Sequence, residues 1–176
     1  MLPWVNTMQS VSVAKRKSNR AMTLGCKPNA ETVVRLLNEA LATEVICILR
    51  YKRHYFMTAG VNGRRVKAKF LQYVAEEQGH ADLLAERIVQ LGGKPDLSTE
   101  RLLIRSHAEH VEGESLVEMI TADLVAERIS IDSYRAMIAS IGDDDPTTRQ
   151  IVERILAQEE AHAENLAGLL RDSASE

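Results

Sequence analysis

The sequence predicts an all-α protein, a bundle of four long helices arranged as two antiparallel hairpins joined by a long crossover. Apolar residues recur at helical spacing in four stretches of roughly 26–31 residues. Turn signals rich in Gly, Asp or Pro separate these stretches, and aromatic content of only 4% comes with no sustained strand alternation. The second and third stretches are joined by a connection far longer than the other two, as two separate hairpins require.

Residues 1–28 carry Lys15, Arg16, Lys17, Arg20 and Lys27 and no acidic residue, which with their Ser, Asn and Thr content predicts a flexible basic tail. One bundle domain is expected over residues 29–172. Asn29 is the expected N-cap of the first helix, with Glu31 and Thr32 in the first turn. That helix runs to about Ala59 and stops at Gly60-Val61-Asn62-Gly63. The second starts near Arg64 and ends at Gly92-Gly93-Lys94-Pro95. The third spans about Glu114 to Ile141. Asp145 then caps a fourth helix that opens on Pro146 and closes near Arg171. The crossover from Gly93 to Gly113 reaches roughly 65 Å when extended at about 3.3 Å per residue. That is enough to cross a bundle lengthwise.

Composition narrows the function. Hydrophobic residues at 45% and charged residues at 27% suit a folded soluble chain, and a net charge of −3 gives the body no reason to bind nucleic acid. Cys26 and Cys47 are too few for a disulfide framework and lack zinc-site spacing. No apolar run approaches the roughly 20 residues of a membrane span. Residues 1–30 show no signal-peptide pattern, so a cytoplasmic location is expected.

Each apolar stripe contains one anomaly. The first helix reads Leu37, Leu41, Glu44, Ile48, Tyr51, Tyr55, and the second Phe70, Val74, Glu77, His80, Leu84, Ile88. The third reads Leu116, Ile120, Glu127, Ile131, Tyr134, Ile138, and the fourth Ile151, Ile155, Glu159, His162, Leu166, Leu169. Every stripe therefore holds a glutamate, and two add a histidine three residues on, on the same face. A single Glu-x-x-His is common on surface helices, and a single glutamate in a stripe often snorkels outward. Heights decide between the readings. At about 1.5 Å rise per residue, the distances of all four glutamates from their turns put them in one layer.

Four buried carboxylates need compensating charge. Two metal ions supply it, and the oxygen and imidazole donors suit iron or manganese, whereas structural zinc favours thiolates. The pattern also repeats. Tyr51 follows Glu44 by seven residues as Tyr134 follows Glu127, and Glu44 precedes Glu77 by 33 residues as Glu127 precedes Glu159 by 32. The two hairpins read as pseudo-symmetric halves.

The stretches LNEALATEV, EEQGHADLLAERI, EMITADLVAE and AQEEAHAENL resemble the bacterioferritin branch of the ferritin-like family, over about residues 32–170. The resemblance implies that Glu77 and Glu159 bridge two irons, Glu44 and Glu127 are terminal ligands, and His80 and His162 each bind one iron. It implies a ferroxidase that oxidises Fe(II) with O2 or H2O2 for iron storage and detoxification. Tyr51 matches a tyrosine kept beside the site and is the expected catalytic side chain, while Tyr134 is expected to be core. Glu76 and Gln158 are expected to hold the outer imidazole nitrogens, Gln158 standing where an acidic residue is usual. Gln78 replaces the methionine that ligates haem, so no haem is expected.

Only 14 residues follow His162, too few for the fifth helix of 24-subunit cages, while Dps-type mini-ferritins form 12-subunit shells without it. A hollow homo-oligomeric shell of 12 or 24 copies is expected. Two further functions stay open: a rubrerythrin-like peroxide reductase, suggested by Tyr51 with Tyr134, and a Dps-like DNA-protecting protein using the basic tail. Cys47 is expected to be buried near the site. His54, His107 and His110 are expected at the surface.

Overall fold

The computed structural model describes residues 29–59, 63–108, 111 and 113–173. The expected tail, with Cys26, the turn residues Gly60, Val61 and Asn62, and His110 lie outside these. Among the described residues there are five helices and no strand: α1 (Ala30–Met57), α2 (Gly63–Gln90), α3 (Thr99–Arg105), α4 (Leu116–Ile141) and α5 (Pro146–Ser173). α1 packs along α2 and α4 along α5, and the two hairpins close against each other through α1–α4 and α2–α5. None of these helices is long and apolar enough to cross a membrane.

Side chains next to the apolar stripes set the helix starts. Asn29 Oδ1 accepts from the Thr32 amide at 2.8 Å, and Asp145 Oδ1 accepts from the Thr148 amide at 3.0 Å with Pro146 opening α5. α4 has a reciprocal cap between Ser115 and Glu118. It ends on Gly142, whose φ of 62° favours a residue without a Cβ.

The crossover is not fully extended, since it contains α3. A seven-residue helix lacks the multi-turn periodicity that marks the long helices, so the stripe argument passes over it. Leu102 anchors α3 against Ala42 and Ile46 of α1. Asn38 pins the crossover's start, donating to Lys94 O at 3.2 Å and accepting from the Asp96 amide at 2.7 Å.

The apolar core is divided. One half gathers Val33, Leu37, Leu41, Leu84, Ile88, Ile141, Val152 and Ile155. The other gathers Phe70, Tyr73, Ile120, Leu124, Leu166 and Leu169 with Tyr51. The glutamates and histidines of the stripes occupy the level between them.

Candidate metal centre

The structure brings all six expected residues together. Ligand atoms of Glu44, Glu77, His80 and Glu159 lie within 4.8 Å of one another, as do those of Glu77, Glu127, Glu159 and His162. The two groups share Glu77 and Glu159. All six side chains are buried, none more than 4% exposed. Helical geometry explains the convergence. On α2 and α5 the i, i+3 spacing aims carboxylate and imidazole the same way, while α1 and α4 supply one carboxylate each from the facing walls.

His80 Nδ1 lies 2.9 Å from Glu159 Oε1 and 3.2 Å from Glu44 Oε2, but much of the described layer has no hydrogen-bond partner. Both oxygens of Glu77, Glu127 Oε2, Glu159 Oε1 and His162 Nδ1 are buried with no hydrogen-bond partner among the described residues. His162 Nδ1 lies 3.3 Å from Glu77 Oε1 and 3.9 Å from Glu127 Oε2 without the alignment of a hydrogen bond. An acceptor facing acceptors at that range is unfavourable unless a cation or proton sits between them.

Without a cation, protons take that role. Burial, reinforced by the charge of Glu77, raises the Glu44 carboxyl to about 8. Burial and the charges of Glu127, Glu77 and Glu44 push Glu159 well above the carboxylate range. Burial opposes the imidazolium of His80, but its hydrogen bond to Glu44 and the adjacent carboxylate of Glu77 outweigh it and raise the group to about 10. Burial also opposes ionised Glu77, yet the nearby Glu44 carboxyl and the His162 and His80 imidazoles leave it below its usual value. Raised carboxyl values where four glutamates meet mark the layer as a candidate functional site.

The surroundings cross between hairpins. The Tyr51 hydroxyl on α1 donates to Glu127 on α4, and the Tyr134 hydroxyl on α4 donates to Glu44 on α1. Tyr134 is buried as expected, but it is more than core, because it mirrors Tyr51. The outer imidazole nitrogens also cross, His162 Nε2 reaching Glu76 Oε2 at 2.7 Å and His80 Nε2 reaching Gln158 Oε1 at 3.1 Å.

One expectation is overturned. His54 is fully buried and no surface residue, its Nδ1 lying 2.9 Å from Asp123 Oδ2. Asp123 Oδ1 accepts from Arg50 Nε at 2.8 Å, and Arg50 Nη2 donates to Cys47 Sγ at 3.3 Å, so a buried polar cluster adjoins Tyr51. The signal was present in the gap in the third stripe between Ile120 and Glu127, a row filled by Asp123 and Leu124. Cys47 is buried as expected. His107 lies at the surface, within 2.9 Å of Ser133 Oγ. Gln78 is exposed and bonded to Asp82, well outside the layer.

A four-helix bundle with a long crossover and a buried layer of four glutamates and two histidines is the ferritin-like class of fold. The chain belongs to the ferritin-like domain family, whose model matches residues 34–174. It is 33% identical to a bacterioferritin of Streptomyces coelicolor, covering 76% of this chain and 77% of the relative. It is 28% identical to a DNA protection during starvation protein of Brevibacillus brevis, covering 80% of this chain and 95% of that one. Among solved structures it is similar to a dodecameric thioferritin, the bacterioferritin-related protein of Bacteroides fragilis. There the TM-score is 0.81 at 27% identity, covering 85% of this chain and 90% of the other.

Proposed function

We propose that this protein is a ferroxidase that takes two Fe(II) ions as substrate in the buried layer and oxidises them with O2 or H2O2 for iron storage and detoxification. The observation that carries this reading is the pair of ligand groups sharing Glu77 and Glu159, with both oxygens of Glu77 and one of Glu159 left without a hydrogen-bond partner among the described residues. Glu77 and Glu159, common to both groups, would bridge two cations. Glu44 with His80 completes one position, and Glu127 with His162 the other. Bound as a pair, two Fe(II) supply two electrons, enough with two protons to take H2O2 to two waters. The chain's own contribution is positional. Tyr51 and Tyr134 hold Glu127 and Glu44 in place, Glu76 and Gln158 orient the imidazoles, and the two half-cores exclude bulk water. Manganese fits the same donors.

A shell of 12 or 24 copies in the cytoplasm completes the reading. Exposed large apolar residues support association, with Phe56 68% and Ile104 81% accessible in the isolated chain. The mirrored tyrosines favour a second reading, peroxide reduction as the main task. Turnover with H2O2 and with O2 under identical loading separates the two. The primary test loads metal-free protein with Fe(II) anaerobically and follows oxidation by stopped flow. A di-iron(III) spectrum is expected for wild type and none for the Glu77→Ala, Glu159→Ala double variant. Identical traces from both proteins refute the reading.

A further inference from the structure

The layer is nearly two-fold symmetric, and it departs from that symmetry in the groups behind its histidines. Each position has one terminal glutamate braced by a tyrosine from the opposite hairpin, and both use the same bridging pair. Behind His162, however, stands a carboxylate, and behind His80 an amide. Glu76 is held for the task, since its other oxygen accepts from Gln72 Nε2 at 2.8 Å while Oε2 faces the imidazole. Gln158 presents its amide oxygen to His80 Nε2 at 3.1 Å, so each ring has an acceptor behind its outer nitrogen and turns Nδ1 toward the layer. Arg50, a buried cation of the bundle, is itself paired with Asp123.

We propose that the two metal positions are unequal, and that the His162 position takes a divalent cation before the His80 position because Glu76 stands where its counterpart is Gln158. The inference rests on the dimetal reading above. An imidazole whose outer N–H donates to an anion is the stronger electron donor, and it adds one negative charge to its side of the layer. Outer partners of this kind change metal affinity by about 10–100-fold. The bundle at limiting metal therefore holds one cation on the Glu127–His162 side, and the Glu44–His80 side fills second. The structure assigns Glu76 and Gln158 as positioning residues that set the order of loading.

The test is one equivalent of Co(II) per chain added to metal-free protein, crystallised, and located by anomalous scattering at the cobalt edge. Wild type is expected to show the His162 position favoured by at least about tenfold. Glu76→Gln and Gln158→Glu, each singly, should bring the occupancies close to equal, and the double exchange should reverse the order. Circular dichroism checks that each variant folds, and both residues are only partly buried. Equal occupancy in wild type, or a preference that survives the double exchange, overturns the inference while leaving a two-metal centre in place. Absence of Co(II) from the layer overturns the metal reading itself, and this inference with it.

Discussion

The protons that stand in for cations make the metal-free protein lose stability as pH rises, and the size of that loss follows from the layer. Glu44 titrates near 4.5 in an unfolded chain and about 8 in the fold. A raised folded value means the folded state binds the proton more tightly. Its contribution is complete below about pH 4.5 and is lost as pH rises through 8. At about 1.4 kcal/mol per pH decade between the two values, the ceiling is on the order of 5 kcal/mol. His80, raised from 6.5 to about 10, acts in the same direction over a later window. It is hydrogen-bonded to Glu44 at 3.2 Å, so the two share protons and their contributions do not add. Glu77, lowered, acts oppositely, but only on the acid side of 4.5. The melting temperature of chelator-treated protein should therefore fall between pH 5 and 9. The drop is about 15 °C at the ceiling, taking about 3 °C per kcal/mol for a chain of this size. Glu44→Gln should remove most of that drop, leaving what His80 and Glu159 contribute. With two divalent cations bound the slope should reverse, because protons then compete with metal. Melts by circular dichroism at 222 nm, with and without Co(II), measure all of this. A metal-free midpoint that is flat or rises from pH 5 to 9, or an unchanged slope in Glu44→Gln, refutes the reasoning.

Other outcomes follow from single contacts. His162→Ala should abolish most Fe(II) oxidation per folded chain while costing metal-free protein only on the order of 1–3 kcal/mol; a wild-type rate would remove His162 from the ligand set. Asp123→Ala removes the carboxylate that buried Arg50 and His54 share and should cost about 3–5 kcal/mol in urea unfolding; a cost below about 1 kcal/mol would contradict the buried cluster. Tyr51→Phe and Tyr134→Phe should each weaken Co(II) binding by about tenfold; an effect confined to Tyr51→Phe would break the mirror relation. Protein made with ample haem should show no Soret band, since Gln78 is exposed and bonded to Asp82.

The bundle was legible because its determinants are local and periodic. Asn29 and Asp145 cap where hydrogen-bonding side chains precede apolar stripes, and four glutamates stood out because each interrupts a row of leucines and isoleucines. What stayed hidden depends on partners far apart in sequence. His54 looked like a surface residue because its partner, Asp123, is 69 residues away. The Tyr134 bond to Glu44 spans 90 residues, and sequence alone shows only that Tyr134 follows its own hairpin's glutamate by seven. The short α3 has too few residues to impose a stripe and is held by Leu102 against α1.

The crossed tyrosines bear on the order of events during folding. Neither hairpin carries a finished chelate, because each one's terminal carboxylate is braced by a hydroxyl from the other, and each imidazole on α2 or α5 leans on the opposite hairpin's helix. An early-formed hairpin therefore offers a passing ion only a weak, exposed foothold. The six ligand atoms converge only when the halves dock in register, and sliding by one helical turn would misalign carboxylates, imidazoles and braces together. On the two-metal reading, an ion would reward the correctly mated halves and give a misregistered pairing no comparable reward.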